Sequence, residues 1–107
     1  MNEQKLINRF HEELQKNELN IKKIESLISK TNKTYRKNAY LQFYIGKYYQ
    51  KLDNSKKNRE KSKVQFLKSM GLEPMFPPPY FELAEHYRNI KTENAFFKME
   101  KIGRAHV

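Results

Sequence analysis

The stretch YFELAEHYRNI, residues 80–90, decides the fold of this chain. Five of its apolar residues recur at intervals of three and four, which places them on one face of a helix. They are Tyr80, Leu83, Ala84, Tyr87 and Ile90. Most of the same pattern stands earlier in the chain, at Ile45, Gly46, Tyr49 and Leu52. A pattern that recurs in this way predicts a repeated helical unit.

The composition predicts a folded helical domain with a thin core. The chain has 107 residues, enough for one domain, but its hydrophobic content is only 37% and its mean hydropathy is −1.00. Seven tyrosines and seven phenylalanines supply much of the apolar surface that a core needs. Helix-forming residue types dominate and no strand-like alternation is present, so we predict an all-α fold.

Residues 1–37 are predicted to form an amphipathic helical segment followed by a basic connection. One apolar phase continues through Leu6, Phe10, Leu14, Ile21, Ile24 and Ile28. This continuity favours one long helix, or two helices stacked on a shared axis with a break near Lys16 and Asn17. The stripe could form a coiled-coil seam, but its short length favours packing onto the helices that follow.

Two helices and a turn are predicted next. A crowded apolar run indicates a helix from Asn38 to Leu52, and Asp53, Asn54 and Ser55 supply a turn and an N-cap. The following helix is predicted to run from about Lys56 to Met70. We expect it to bury Val64, Phe66, Leu67 and Met70.

Gly71 and the prolines punctuate the rest of the chain. Gly71 is expected to end its helix in a left-handed cap. Pro74 and the run Pro77–Pro79 prevent a new helix until a proline ring can occupy the first turn. A final pair is then predicted, from Tyr80 to Ile90 and from about Thr92 onward.

These helix pairs resemble tetratricopeptide repeats over residues 39–101. In that family two antiparallel helices form a unit of about 34 residues, and units stack into a solenoid. Small residues let paired helices approach closely, as Gly46 and Ala84 would here. The second helix and closing proline of the unit are matched by Ser62, Phe66, Ser69 and Pro74. The resemblance implies two degenerate repeats in residues 38–101, although Gln42 occupies a slot that is usually aromatic.

The family also suggests where a partner would bind. First helices of its units line a concave groove that receives a peptide or helix of another protein. Spacing gives the groove candidates Tyr40, Phe43, Lys47, Gln50, Phe81, Glu85 and Arg88. Phe43 and Phe81 could instead pack against each other as core. The leading hypothesis is therefore a protein-interaction scaffold, with an acidic or aromatic-rich peptide as partner.

The net charge of +10 is concentrated in one block. Residues 30–68 carry twelve Lys or Arg against Asp53 and Glu60, which accounts for the whole net charge. Such a block can attract acidic proteins or nucleic acid. A solvated basic face is the plainer interpretation. Nucleic-acid binding remains an alternative function, but no motif supports it and Lys outnumbers Arg.

Catalytic and metal-binding patterns are missing from the sequence. No cysteine is present, which excludes disulfides, zinc knuckles and thiol catalysis in this chain. His11 and His86 have no second histidine at metal-ligand spacing, and no phosphate-binding loop occurs. We therefore expect neither catalysis by this chain nor a metal or cofactor. No apolar run reaches the length of a membrane span, so a cytoplasmic protein is expected.

The last six residues match a sequence that is not expected in a protein. Residues 102–107, IGRAHV, equal the translation of the start of a common sequencing adapter. We expect this tail to be artefactual and the native sequence to be truncated near Glu100. A second function hypothesis follows, in which the helices are the N-terminal extension of an enzyme such as a glycosyltransferase. Oligomeric state is left open.

Overall fold

The computed structural model describes residues 2–88, and this part of the chain is all-α. Four helices are α1 (Glu3–Leu14), α2 (Ile21–Thr34), α3 (Ala39–Leu52) and α4 (Lys56–Leu72). A fifth, α5, occupies residues 78–88. The helix predicted from about Thr92, the end of the preceding one at Ile90, and the tail 102–107 lie outside the described residues.

Short polar side chains begin the first four helices. Each N-cap side chain accepts a hydrogen bond from a backbone N–H three residues later, which satisfies a group that has no partner within the helix. The four caps are Asn2, Asn20, Asn38 and Ser55. The predicted turn at Asp53–Ser55 is confirmed, because Ser55 caps α4 and α3 ends at Leu52.

The prediction of a long N-terminal helix is wrong. The chain leaves the helix after Leu14 and starts a second one at Ile21 under the cap of Asn20. The two helices are antiparallel rather than coaxial, since Leu6 near the start of α1 lines the same cavity as Thr34 at the end of α2. Buried Glu13 fixes the connection through its carboxylate, which lies 2.6 Å from Lys16 Nζ and 3.8 Å from Lys23 Nζ.

The main core joins this N-terminal hairpin to α3. Its apolar residues come from α1, α2 and α3 and are almost fully buried: Leu6, Phe10, Leu14, Ile24, Leu27, Leu41, Ile45 and Tyr48. The apolar stripe of the N-terminal segment therefore packs onto α3, as the preferred interpretation of that stripe expected. Ile21 is an exception, with 45% of its surface exposed.

Helices α3 and α4 form a closely packed antiparallel pair. A Cβ atom on Gly46 would lie 2.6 Å from Cε1 of Phe66, so the backbone of α3 meets that ring directly. Near the other end of the pair, Ser69 Oγ donates a 2.7 Å hydrogen bond to the carbonyl oxygen of Ala39. The buried residues of α4 are Ser62, Phe66 and Ser69.

Two predicted core residues of α4 are on its surface. Val64 is 57% exposed and Leu67 is 44% exposed, while Phe66 is buried as predicted. At 100° per residue, the face defined by Ser62, Phe66 and Ser69 cannot also contain Val64 and Leu67. Met70 is half-buried.

The predicted glycine cap at Gly71 is also wrong. Helix α4 continues to Leu72, and its C-cap is Glu73, whose backbone N–H bonds to the Ser69 carbonyl. No glycine in residues 2–88 has a positive φ. Pro74 follows the cap and prevents further helix. Pro78 and Pro79 then occupy the first turn of α5, as predicted.

Candidate functional site

Two of the predicted groove residues on α3 are engaged by α5. Lys47 Nζ lies 2.8 Å from Oε1 of Glu82, and Gln50 Nε2 donates a 2.9 Å hydrogen bond to Oε2 of the same carboxylate. Lys47 and Gln50 therefore connect α3 to α5, while Gln50 stays exposed and Lys47 is half-buried. Glu82 was not among the residues that spacing predicts for the groove. Its carboxylate, next to Phe81 in the sequence, is the one signal that could have indicated a partner for Lys47 and Gln50.

The Glu82 carboxylate is stabilised by this arrangement. Burial alone would raise its pKa, and burial is the largest single influence on the group. The hydrogen bonds from Lys47 and Gln50, with the charge of Lys47, outweigh that effect and lower the Glu82 pKa below its ordinary value of 4.5. The group is therefore an anion at neutral pH.

Phe43 is mainly a packing residue. Its ring centroid lies 5.6 Å from that of Phe66, 5.7 Å from that of Phe76 and 5.8 Å from that of Tyr44. Phe43 is half-buried, whereas Phe81 is 69% exposed. The two rings therefore have different roles. Phe43 belongs to the interior beside α4, and Phe81 belongs to the surface.

The predicted groove residues on α5 share an exposed face. Phe81, Glu85 and Arg88 follow at intervals of four and three residues and are all exposed. Arg88 pairs with Glu85 within the helix. The other side of α5 faces α4, where half-buried His86 lies close to Lys63. Burial, helped by the charge of Lys63, lowers the pKa of His86 below 6.5.

Tyr40 lines a large cavity, which we call the turn cavity. It has a volume of about 560 Å³ and lies between the start of α1, the α2–α3 connection and the end of α4. Tyr40 is 43% exposed, and its ring centroid lies 4.2 Å from that of Phe76. The lining comprises Glu3, Asn32, Lys33, Thr34, Tyr35, Arg36, Lys37, Asn38, Ala39, Tyr40, Leu72 and Glu73.

Hydrogen bonds hold the α2–α3 connection in a tight turn. The Tyr35 N–H bonds to the Thr31 carbonyl at 2.7 Å, and the Asn38 N–H bonds to the Tyr35 carbonyl at 3.0 Å. Gln42, which is fully buried, donates a 2.9 Å hydrogen bond to the carbonyl of Arg36. Gln42 is therefore a buried polar residue with a structural role, since it fixes this turn.

The turn presents three exposed cations at the cavity. Arg36 and Lys37 occupy its two corner positions, and Lys33 lies at the end of α2. Among residues 2–88, no acidic group forms an ion pair with any of these three side chains. Glu3 and Glu73 also line the cavity, so its lining carries three positive and two negative side chains.

The described part of the chain has neither a metal-binding cluster nor a membrane-spanning helix. Residues 2–88 contain no group of three or more His, Asp or Glu side chains placed to hold a metal ion. Within the same residues, no helix combines the length and the apolar character needed to cross a membrane.

Comparisons with known proteins give no relative. No protein-family model, curated protein or solved structure matches this chain. The resemblance to tetratricopeptide repeats therefore stays a prediction.

Proposed function

We propose that this chain is a tetratricopeptide-like interaction scaffold that binds a peptide or helix of a partner protein along α5 and the start of α3. One observation carries the proposal, the double contact of Lys47 and Gln50 with Glu82. It sets the first helix of one predicted repeat beside the first helix of the next. This is the neighbour relation that lines the groove of such scaffolds.

The same relation extends toward the N-terminus. Helix α1 packs on α3, where the ring of Phe10 stacks at 6.2 Å on that of Tyr44. The antiparallel pair α1–α2 thus adds a helix pair that the sequence pattern missed. Three successive first helices, α1, α3 and α5, would then lie in a row, as stacking of repeated units requires.

The proposed binding surface leaves out three of the seven residues that spacing predicts for the groove. Lys47 and Gln50 are used within the protein, and Phe43 is packed. Tyr40, Phe81, Glu85 and Arg88 remain accessible and form the proposed surface. Aromatic and arginine side chains are the residue types that most often anchor protein interfaces. Phe81, at 69% exposure, is the proposed principal anchor.

The experiment is selection of peptides from a displayed random library on the purified chain. Peptides enriched on the parent chain should lose affinity about tenfold or more for a Phe81→Ser, Arg88→Ala variant, as expected when interface anchors are removed. Val64→Ser is the matched control, because Val64 is also an exposed apolar residue but lies on α4. Failure to enrich any peptide, or equal binding to both variants, would overturn the proposal.

A further inference from the structure

We propose that the turn cavity binds an acidic segment of the partner, with Asp or Glu carboxylates held by Lys33, Arg36 and Lys37. This inference rests on the proposed function, because it names the chemistry of the partner and adds a second contact region. Tyr40 belongs both to the proposed surface and to the cavity lining, so one extended peptide can reach both.

The size of the cavity is adequate for this role. Its volume of about 560 Å³ lies inside the range of about 300–1,000 Å³ that is usual for ligand pockets. Tyr40 and Leu72, which is 37% exposed, add apolar surface to its wall. The cavity can therefore accept a peptide in which acidic residues alternate with small apolar ones.

Hydrogen bonds within the protein support two walls of the cavity. Gln42 holds the carbonyl of Arg36, and the Asn38 N–H closes the turn on Tyr35. The opposite wall is attached to α3 by the hydrogen bond from Ser69 Oγ to Ala39. Binding to a rigid site loses less conformational entropy than binding to one that must be ordered.

The charges of the cavity favour carboxylates over other anions. The guanidinium of Arg36 can hold a carboxylate through two hydrogen bonds, and the lysines add positive potential. Glu3 and Glu73 would repel a continuous chain of phosphates, which carries a charge at every nucleotide. They interfere less with a peptide whose acidic side chains are separated by neutral residues. The observations thus favour an acidic peptide over nucleic acid.

Fluorescence anisotropy of the full chain with a labelled peptide of alternating glutamate and alanine tests the proposal. The turn variant Lys33→Gln, Arg36→Gln, Lys37→Gln should bind this peptide about tenfold more weakly than the parent chain, a loss of about 1.4 kcal/mol. The matched variant Lys56→Gln, Lys57→Gln, Lys68→Gln removes the same charge from exposed positions on α4. It should stay within about twofold of the parent.

Three results would overturn the inference. If both triple variants weaken the binding of the acidic peptide equally, the peptide is attracted only by the net charge of the chain. Absence of measurable binding by the parent chain would show that the cavity is not such a site. Tighter binding of labelled oligothymidylate, with the same dependence on the turn cations, would assign the cavity to nucleic acid.

Failure of this inference can be separated from failure of the proposed function. Library peptides that depend on Phe81 and Arg88 but tolerate the turn variant would leave the scaffold standing without an acidic subsite. If binding of the acidic peptide requires the turn cations, and no library peptide requires Phe81 for binding, the proposed surface on α5 is rejected. Circular dichroism of every variant confirms that each remains folded.

Discussion

Gly46 lies directly against the ring of Phe66, so closely that a methyl group at position 46 would be 2.6 Å from Cε1 and 2.8 Å from Cδ1 of that ring. The ring is 1% exposed and also contacts Phe43, so it has little room to move aside. The close packing of α3 on α4 therefore depends on the absence of a side chain at this position.

Gly46→Ala should destabilise the protein although alanine is the better helix former. The gain in helix propensity is about 1 kcal/mol, whereas forcing a methyl group into a filled core costs about 1–3 kcal/mol. We expect a net loss of about 1 kcal/mol in the free energy of unfolding, measured by urea denaturation.

Gly71→Ala is the control for this substitution. Gly71 is also inside a helix, but nothing lies within 4 Å of a Cβ atom at that position. It should stabilise the protein by about 0.5–1 kcal/mol, because only the propensity effect operates. If both alanines stabilise the protein, the contact between Gly46 and Phe66 is not as close as described.

Substitutions in α4 should separate its buried face from its exposed face. Phe66→Ala should cost about 3–5 kcal/mol, as expected for removal of a buried aromatic ring. Val64→Ser and Leu67→Ser should each change the free energy of unfolding by less than about 1 kcal/mol, mostly through helix propensity. Thermal denaturation of the three variants measures this order, and a large loss in either serine variant would place that residue in the core.

The helices themselves were predictable because their signals are local. Asn38 and Ser55 cap α3 and α4, and the prolines delimit α5, as residue type and spacing indicate. The apolar phase continues across the α1–α2 connection, so spacing could not decide between one long helix and two helices with a break near Lys16 and Asn17. The structure has the break, and Asn20 caps α2. Local capping therefore outweighed a pattern that extends over several turns.

The orientation of α4 was not predictable from its own sequence. Val64 and Leu67 are more hydrophobic than Ser62 and Ser69, yet the serines are buried. Two tertiary contacts are made by the buried face: the ring of Phe66 packs directly against Gly46, and Ser69 donates a hydrogen bond to the Ala39 carbonyl. Hydrophobicity alone therefore predicts the wrong face of α4 as the buried one.

The contact between Lys47 and Glu82 should make the docking of α5 sensitive to acid. Because the pKa of Glu82 is lowered in the folded protein, its contribution to stability is present above the unfolded pKa near 4.5 and is lost as pH falls through the folded value. The parent chain and a Glu82→Gln variant should therefore differ most in stability at neutral pH. Their denaturation curves should converge as pH falls below 4.5 and passes through the folded pKa of Glu82.

A Glu85→Gln variant is the control for Glu82. Glu85 is exposed, and within residues 2–88 its ion pair is with Arg88 of the same helix, so it does not connect α5 to α3. At neutral pH, Glu85→Gln should therefore change the free energy of unfolding less than Glu82→Gln does. An equal effect of both glutamines would mean that Glu82 does not carry the attachment of α5.

The turn cavity was outside the reach of the sequence because its lining comes from three separated segments. In the sequence, Arg36 and Lys37 belong to a basic block. Nothing in the sequence indicates that Glu3 and Glu73 lie in the same cavity lining. Tyr40 was predicted as a groove residue from its position on α3, and the structure places it in the lining of the cavity. Of the seven groove candidates, it alone lines the turn cavity.

Removing a negative charge from the cavity should strengthen the binding of acidic peptide, and Glu73→Gln tests this with little risk to the fold. Glu73 is the C-cap residue of α4 and is exposed. A carboxylate there interacts unfavourably with the helix dipole, so its removal is neutral or slightly stabilising for the fold.

A repulsive surface charge is worth about 0.2–1 kcal/mol, so Glu73→Gln should tighten the binding of the acidic peptide by about 1.5- to 5-fold. Glu12→Gln, an exposed change on α1 outside the cavity, should alter the affinity less. Anisotropy titrations at two salt concentrations measure both effects, and the gain from Glu73→Gln should shrink at the higher one because salt screens exposed charges. Equal gains from the two variants would show that the peptide senses only the net charge of the chain.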